Sequence, residues 1–266
     1  MAGQIRELPK VSVVTINLNM RDDLEATIKS VIGQTYSNLE YLVIDGASTD
    51  GSVEVIRGHA NRIHRWVSEP DLGLYDAMNK GTREASGEWV IFMNAGDEFY
   101  DSSAIADVFR EIHSDADLIY GHSVRRYARE KVERVVRAEL PGVLGLRMNC
   151  SHQSLFSRRS ILMERPFSVG LMAADYEFLV RMHVEGKRFK MVDRVVGINI
   201  NGGISDRKRL RSLSERGRIA TRYGLMTPLG ALSYAGMASR AVIGPYIKFV
   251  LPRPVTGWLL RHKKFD

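Results

Sequence analysis

Short runs of β-branched residues, separated by amphipathic stretches, constrain this chain more than any other feature. Val11-Ser12-Val13-Val14-Thr15-Ile16 and Tyr41-Leu42-Val43-Ile44 are short, apolar and stopped by polar residues, so both read as strands. Between them Leu24, Ile28, Val31 and Ile32 fall at helical spacing within residues 22–34. A third run, Trp89 to Met93, closes on Asn94-Ala95-Gly96-Asp97. Near-continuous Val and Ile strands alternating with helices predict a mostly parallel sheet covered on both faces. Ligands of such sheets gather beyond the carboxyl ends of the strands, where Asp45 and Asp97 fall. A third acid, Asp76, lies in a loop–helix segment, and three carboxylates so placed suit a charged nucleotide and a metal ion.

With 266 residues, 44% of them apolar, the chain has material for one large core and an appendage. A single cysteine, Cys150, excludes an intrachain disulfide and a cysteine zinc cluster, and fits a reducing compartment. The first ten residues are polar and hold no apolar segment of signal-peptide length, which points to the cytoplasm. The net charge of +7 is uneven: residues 207–266 carry 13 Lys or Arg against 2 acids, so the rest of the chain is net −4. A basic end on an acidic body predicts that residues 207–266 meet an anionic surface, nucleic acid or lipid.

After the second strand, Asp45-Gly46-Ala47-Ser48-Thr49-Asp50-Gly51-Ser52 is a cluster of turn formers opening a short helix, with Ser48 or Asp50 as candidate caps. At a strand end, Asp45 can accept hydrogen bonds from a base or ribose. After the first strand stands Asn17-Leu18-Asn19-Met20-Arg21, neither a GxGxxG nor a glycine-rich basic phosphate loop. That disfavours a dinucleotide oxidoreductase and a nucleotidyltransferase.

Ser12 to Asn17 followed by Val43 to Gly51 resembles family 2 glycosyltransferases of the GT-A fold. The resemblance continues through Glu69-Pro70-Asp71-Leu72-Gly73-Leu74-Tyr75-Asp76-Ala77-Met78-Asn79-Lys80-Gly81, the most specific string, and through Gly87 to Asp97. Cys150-Ser151-His152-Gln153, Ala173-Ala174-Asp175-Tyr176 and Gly202-Gly203-Ile204-Ser205 follow in the family's order, so residues 10–206 are covered. It implies a GT-A catalytic domain at 1–206, followed by a basic helical region at 207–266. The implied reaction moves a sugar from a nucleotide-diphosphate sugar to an acceptor hydroxyl, with inversion. Thr15, Asn17, Asp45, Asp76, Asn79 and Asn94 would contact the donor, Asp97 would hold Mg²⁺ or Mn²⁺, and Asp175 would be the base. His152 and Gln153 fall on the acceptor side, and Gly203 and Ser205 in a loop closing over the diphosphate.

Charge grows on the diphosphate as the glycosidic bond breaks, and a divalent cation held by carboxylate oxygens stabilises it. An alcohol attacks only as its proton is removed. Asp175 precedes a helix with Phe178, Leu179 and Met182 on one side, where the helix dipole favours its ionised form; capping that helix is its alternative role. Two departures from the family pattern stand out. The acidic metal motif is Asn94, Gly96 and Asp97, with one carboxylate, and Ala174 leaves Asp175 as the sole acid in its motif. The first departure keeps open a sugar-nucleotide-binding scaffold as the rival of a different class.

From Tyr223 to Ser239 the chain carries no charge, but Arg240 and several Gly and Pro residues interrupt the tract short of the ~20 apolar residues of a spanning helix. It reads as interfacial. Trp258, Leu259, Leu260 and Phe265 among Arg261, His262, Lys263 and Lys264 suit peripheral contact with an anionic cytoplasmic leaflet, in keeping with a lipid-linked or oligosaccharide acceptor. Packing on the body or a homodimer contact is the alternative use of these helices. No nucleic-acid partner is expected, because no recognition module is present.

Overall fold

Strand β1 (Val11–Asn17) is buried along its whole length because β2 (Leu39–Asp45) and β4 (Trp89–Phe92) flank it, both parallel to it. Short β3 (Arg65–Ser68) runs parallel to β2 at the edge. The register pairs Asn17 with Asp45 and Asp45 with Ser68, so three polar side chains share one row at the carboxyl end. These coordinates are a computed structural model; it describes residues 7–110, 115–127, 130–200 and 208–250, with side chains to 242.

Among the described residues nine strands form one sheet in the order β3-β2-β1-β4-β8-β6-β9-β5, with β7 (Val132–Val136) paired to β6 (Leu118–Tyr127). The expected parallel arrangement describes the half from β3 to β4. Beyond it the sheet is mixed: β8 (Leu155–Arg158) is antiparallel to β4 and β6, β9 (Phe189–Ile200) is parallel to β6, and β5 (Glu98–Phe99) is antiparallel to β9. The chain enters β8 from the carboxyl end of β4, through the turn His152–Ser154, and must therefore run the other way. That reversal carries His152 and Gln153 to the strand ends.

Alternation along the strands makes two cores. Val14, Ile16, Leu42 and Ile44 face Ala77 and Met78 of α3 (Leu74–Glu84) and Phe178 and Leu179 of α6 (Ala174–Val184). On the other face Val13, Tyr41, Val43 and Ile91 meet Leu24 and Ile28 of α1 (Arg21–Ile32) and Ile105 and Val108 of α4 (Ala104–Arg110). Helix α3 packs so tightly that a Cβ on Gly81 would lie 2.3 Å from Val14 Cγ1. Short helices α2 (Ser52–Gly58) and α5 (Arg159–Glu164) complete the layers.

At the opposite end of the sheet the Glu40 carboxylate is a structural hub, accepting from Ser12 Oγ, Ser86 N (2.8 Å), Ser86 Oγ (2.6 Å) and Lys10 Nζ (3.1 Å). Burial alone would raise its pKa, but these donors outweigh it and hold the carboxyl at about 2, below its ordinary 4.5. A depressed native pKa contributes stability that is complete above pH 4.5 and is lost as pH falls towards 2. Glu40→Gln is expected to cost about 2 kcal/mol in urea unfolding at pH 7. The gap to wild type should narrow at pH 3; an equal gap at both pH values would refute this account.

Helices α7 (Arg209–Arg222) and α8 (Pro228–Val250) lie against the body: Ile219 joins the core beside Tyr176, and Tyr223 and Leu225 pack on it. Leu229 and Leu232 face outward. No helix among the described residues is long and apolar enough to cross a membrane. The aromatic and basic cluster from Trp258 to Phe265 lies outside the described residues.

Candidate active site

Two groups of polar side chains occupy the carboxyl ends of β1, β2 and β4. The first is built on Asp45, which is fully buried. Its Oδ1 accepts from Asn17 Nδ2 (2.7 Å) and Ser48 Oγ (2.6 Å), and its Oδ2 from Ser48 N (2.9 Å) and Ser68 Oγ (2.7 Å). A carboxylate offers about four acceptor positions, and all are taken. Asp45 therefore shapes this pocket, and its oxygens are committed to protein donors. The wrap of residues 46–48 around it forces Ala47 to φ 61°, a left-handed conformation that costs energy outside glycine and that clusters at functional sites. Asn17 Oδ1 is buried with no hydrogen-bond partner among the described residues. Ser48 is absorbed by Asp45, and neither candidate caps α2, whose N-cap is Gly51; Asp50, one residue earlier, accepts from Ser52 N (3.0 Å).

On the same side, Asp76 sits in the first turn of α3, half-buried, and accepts from Leu72 N (3.0 Å). Lys80 lies 3.7 Å from Asp76 and donates to Pro70 O (2.8 Å), tying down the preceding loop. Thr15 and Asn79 have their side-chain polar atoms bonded within the protein. Thr15 is completely buried and hydrogen-bonded to the Tyr41 hydroxyl (3.1 Å). Asn79 donates to Phe167 O and accepts from Phe167 N, both at 2.9 Å, so its amide clamps the segment leading to α6. Local spacing places Thr15 on a strand and Asn79 on a helix; it does not say where their polar atoms are spent.

The second group surrounds Asp97. Asn94 to Asp97 is a tight turn closed by Asp97 N to Asn94 O (2.8 Å), with Gly96 at φ 95°, and Thr27 of α1 pins it by donating to Asp97 O (2.8 Å) and accepting from Gly96 N (3.0 Å). Gln153 Nε2 donates to Asp97 Oδ2 (2.9 Å), and His152 Nε2 lies 3.0 Å from Asn94 Nδ2 and 4.0 Å from Asp97 Oδ2. Burial, only partly offset by His152 and Gln153, pushes the Asp97 carboxyl up to about 6. Among the described residues no three His, Cys, Asp or Glu side chains converge to hold a metal ion. Asn94 Oδ1, however, is buried without a hydrogen-bond partner among them. A buried carboxylate and an amide oxygen in one turn are hard oxygen donors of the kind that Mg²⁺ and Mn²⁺ take, the remaining positions falling to phosphate and water.

From Asp97 the polar chain runs through His152 to Asp175, whose Oδ2 is 3.5 Å from His152 Nδ1. Asp175 Oδ1 accepts from the Tyr75 hydroxyl (3.0 Å) and from Tyr176 N (2.8 Å) in the first turn of α6. Burial alone would raise Asp175; the hydrogen bond and charge of His152, the Arg216 charge and the Tyr176 N–H outweigh it and hold the carboxyl at about 2. Burial lowers His152, yet Asp175 and Asp97 raise it above its ordinary 6.5. The site thus presents an ionised carboxylate beside a histidine that favours its protonated form, a short reach from a turn suited to a cation.

His152, Gln153, Asn94, Asp97 and Asp175 converge here, with Asn17, Asp45 and Asp76 in the neighbouring pocket. Gly203 and Ser205 lie outside the described residues. Sequence reasoning missed Tyr75, Thr27, Ser68 and Arg216. Tyr75 adjoins Asp76 inside the most specific motif and was legible there; Arg216, in the basic end, carries no local sign. A cavity of about 410 Å³ along β3 and α3, lined by Arg65, Glu69, Lys80 and Arg83 among others, shares no residue with the Asp97–Asp175 cluster.

A half-parallel sheet with acids at its strand ends, joined through an antiparallel β8 to the helix that carries Asp175, is a GT-A fold. The chain belongs to glycosyl transferase family 2, which matches residues 12–175. It is 29% identical over 229 residues to the PGL/p-HBAD biosynthesis glycosyltransferase of Mycobacterium bovis, covering 82% of this chain and 87% of that one. It is 33% identical over 108 residues to the cholesterol galactosyltransferase of Borreliella burgdorferi, covering 40% of this chain and 30% of that one. Its fold is similar to that of the mannosyltransferase PcManGT from Pyrobaculum calidifontis, solved in complex with GDP-Man and Mn²⁺, with a TM-score of 0.66, 20% identity, and coverage of 97% of this chain and 82% of that one.

Proposed function

We propose that this chain is an inverting, metal-dependent glycosyltransferase that moves a hexosyl group from a nucleotide-diphosphate sugar to an acceptor hydroxyl in cell-surface polysaccharide or glycolipid synthesis. The observation that carries the reading is the polar chain Asp97–His152–Asp175, with steps of 4.0 and 3.5 Å. It joins one ionised carboxylate, suited to take the acceptor proton, to a turn suited to a cation. A single base fits a single displacement, which inverts the anomeric carbon.

In this reading Asn17, Asp76 and Asn94 touch the donor, while Asp45, Thr15 and Asn79 build the pocket behind them. Asp97 and Asn94 would hold Mg²⁺ or Mn²⁺, which when bound supplies charge stabilisation to the leaving diphosphate. His152 and Gln153 keep Asp97 and Asp175 in place at the acceptor side. Residues 1–206 hold the donor and metal groups, and 207–266 make peripheral contact with an anionic membrane at its cytoplasmic face. The outward Leu229 and Leu232 and the net charge of that region support a lipid-linked acceptor. So does the likeness to the cholesterol galactosyltransferase.

The test is release of nucleoside diphosphate from a panel of UDP-, GDP- and dTDP-sugars with Mn²⁺ or Mg²⁺, with and without bacterial lipid extract. Metal-dependent, lipid-stimulated release from one donor is the expected result. No release from any donor while calorimetry still detects nucleotide binding would favour the sugar-nucleotide-binding scaffold, and no binding either would remove both readings.

A further inference from the structure

Four residues from the basic C-terminal region close on the start of α6, where Asp175 sits. Glu215 Oε2 accepts from Ala173 N (2.7 Å), two residues before Asp175. The neighbouring Arg216 places its guanidinium carbon 5.8 Å over the ring of Tyr176. The Tyr234 hydroxyl of α8 donates to the Tyr176 hydroxyl (2.9 Å), and Tyr223 OH donates to Oε1 of Glu177, the next residue (2.6 Å). Residues that read in the sequence as a membrane-directed appendage thus grip the residue adjoining Asp175.

Arg216 stands out among them. Its Nε is buried and finds no hydrogen-bond partner among the described residues. Leaving such a donor unsatisfied costs about 1–3 kcal/mol, which an arginine on a solvated helix face would avoid by turning outward. Glu215, the acid beside it in sequence, is committed to Ala173 and is itself buried. Placed over the Tyr176 ring, next to Asp175 in sequence, its charge lowers the Asp175 carboxyl.

We propose that Arg216 is a positioning residue for the transfer reaction: braced on the Tyr176 ring and anchored through Glu215, its guanidinium holds Asp175 as an oriented carboxylate facing the acceptor. The C-terminal helices are on this account part of the catalytic framework. The proposal rests on Asp175 being the base, and the experiment separates the two.

Arg216→Met, Arg216→Lys and Asp175→Asn are compared with wild type in the donor panel above, following kcat and donor affinity separately. Arg216→Met is expected to lower kcat about tenfold, because a carboxylate no longer held in place spends less time aimed at the acceptor, with donor affinity unchanged, and Arg216→Lys to recover most of the rate. A loss carried by weaker donor binding would assign Arg216 to the diphosphate and overturn the proposal; so would wild-type kcat in Arg216→Met while Asp175→Asn is inactive. Wild-type turnover in Asp175→Asn would remove the base itself, and the proposal with it. A second arm needs no turnover. In urea unfolding, Arg216→Met should lower the midpoint in the wild-type background and change it little beside Asp175→Asn. Equal drops in both backgrounds would show that Arg216 acts through packing alone and would overturn the proposal.

Discussion

Asp175→Asn is expected to leave a folded protein that binds its donor and transfers sugar roughly 10²- to 10⁴-fold more slowly, the usual worth of a positioned general base. The amide keeps the shape of the carboxylate, so Tyr75 OH and Tyr176 N retain an oxygen to donate to. It does not take a proton. In the resting site the carboxylate is held at about 2 by His152, Arg216 and the Tyr176 N–H against its burial, so it is ionised at every working pH. So weak a base accepts the proton only as the acceptor oxygen gains charge in bond-making, which ties deprotonation to displacement. The substitution also removes the main partner that raises His152, so the histidine should titrate lower in the variant, visible by NMR of its ring protons. Initial rates of nucleoside diphosphate release and donor calorimetry decide the matter: near-wild-type turnover in Asp175→Asn would show that the proton goes elsewhere.

The second large effect is expected at Asp97, with opposite signs for stability and activity. Its native carboxyl, pushed up to about 6 chiefly by burial, lies above the ordinary 3.8. A raised native pKa means that this group's contribution to stability is complete below pH 3.8 and is lost as pH rises through about 6. Metal-free protein at pH 7.5 thus carries an ill-compensated buried charge. Asp97→Asn should raise the melting temperature of the metal-free protein at that pH, abolish the rise produced by Mn²⁺ in wild type, and cut turnover by at least roughly a hundredfold, since a Lewis acid supplies several kcal/mol of charge stabilisation. Melting curves with and without Mn²⁺, alongside donor turnover, are sufficient. A Mn²⁺-induced rise that persists in Asp97→Asn would move the cation elsewhere.

How far each part of the site could be read from the residues follows from the range of the forces that set it. Strands at Val11–Asn17, Leu39–Asp45 and Trp89–Phe92 were legible because alternation and β-branching act over a few residues. The reversal at β8 was not, because its direction depends on where the chain returns after the long excursion from Met93 to Ser154. The role of the basic end was legible only as charge. That Glu215, Tyr223 and Tyr234 seat it on α6 depends on contacts across 42, 46 and 58 residues.

By itself the sequence determined the alternation of strand and helix, and hence which acids stand at strand ends. It also placed Asn94 and Asp97 in one turn, because hydrophobic periodicity and turn chemistry are local. Only the tertiary structure decided what each polar atom does. It saturated Asp45 with protein donors, spent Asn79 on Phe167 across 88 residues, and set Tyr75 on Asp175 across 100. The reason is geometric: a side chain's direction and partner are fixed by which elements pack together, and hydrogen-bond strength falls off over fractions of an ångström.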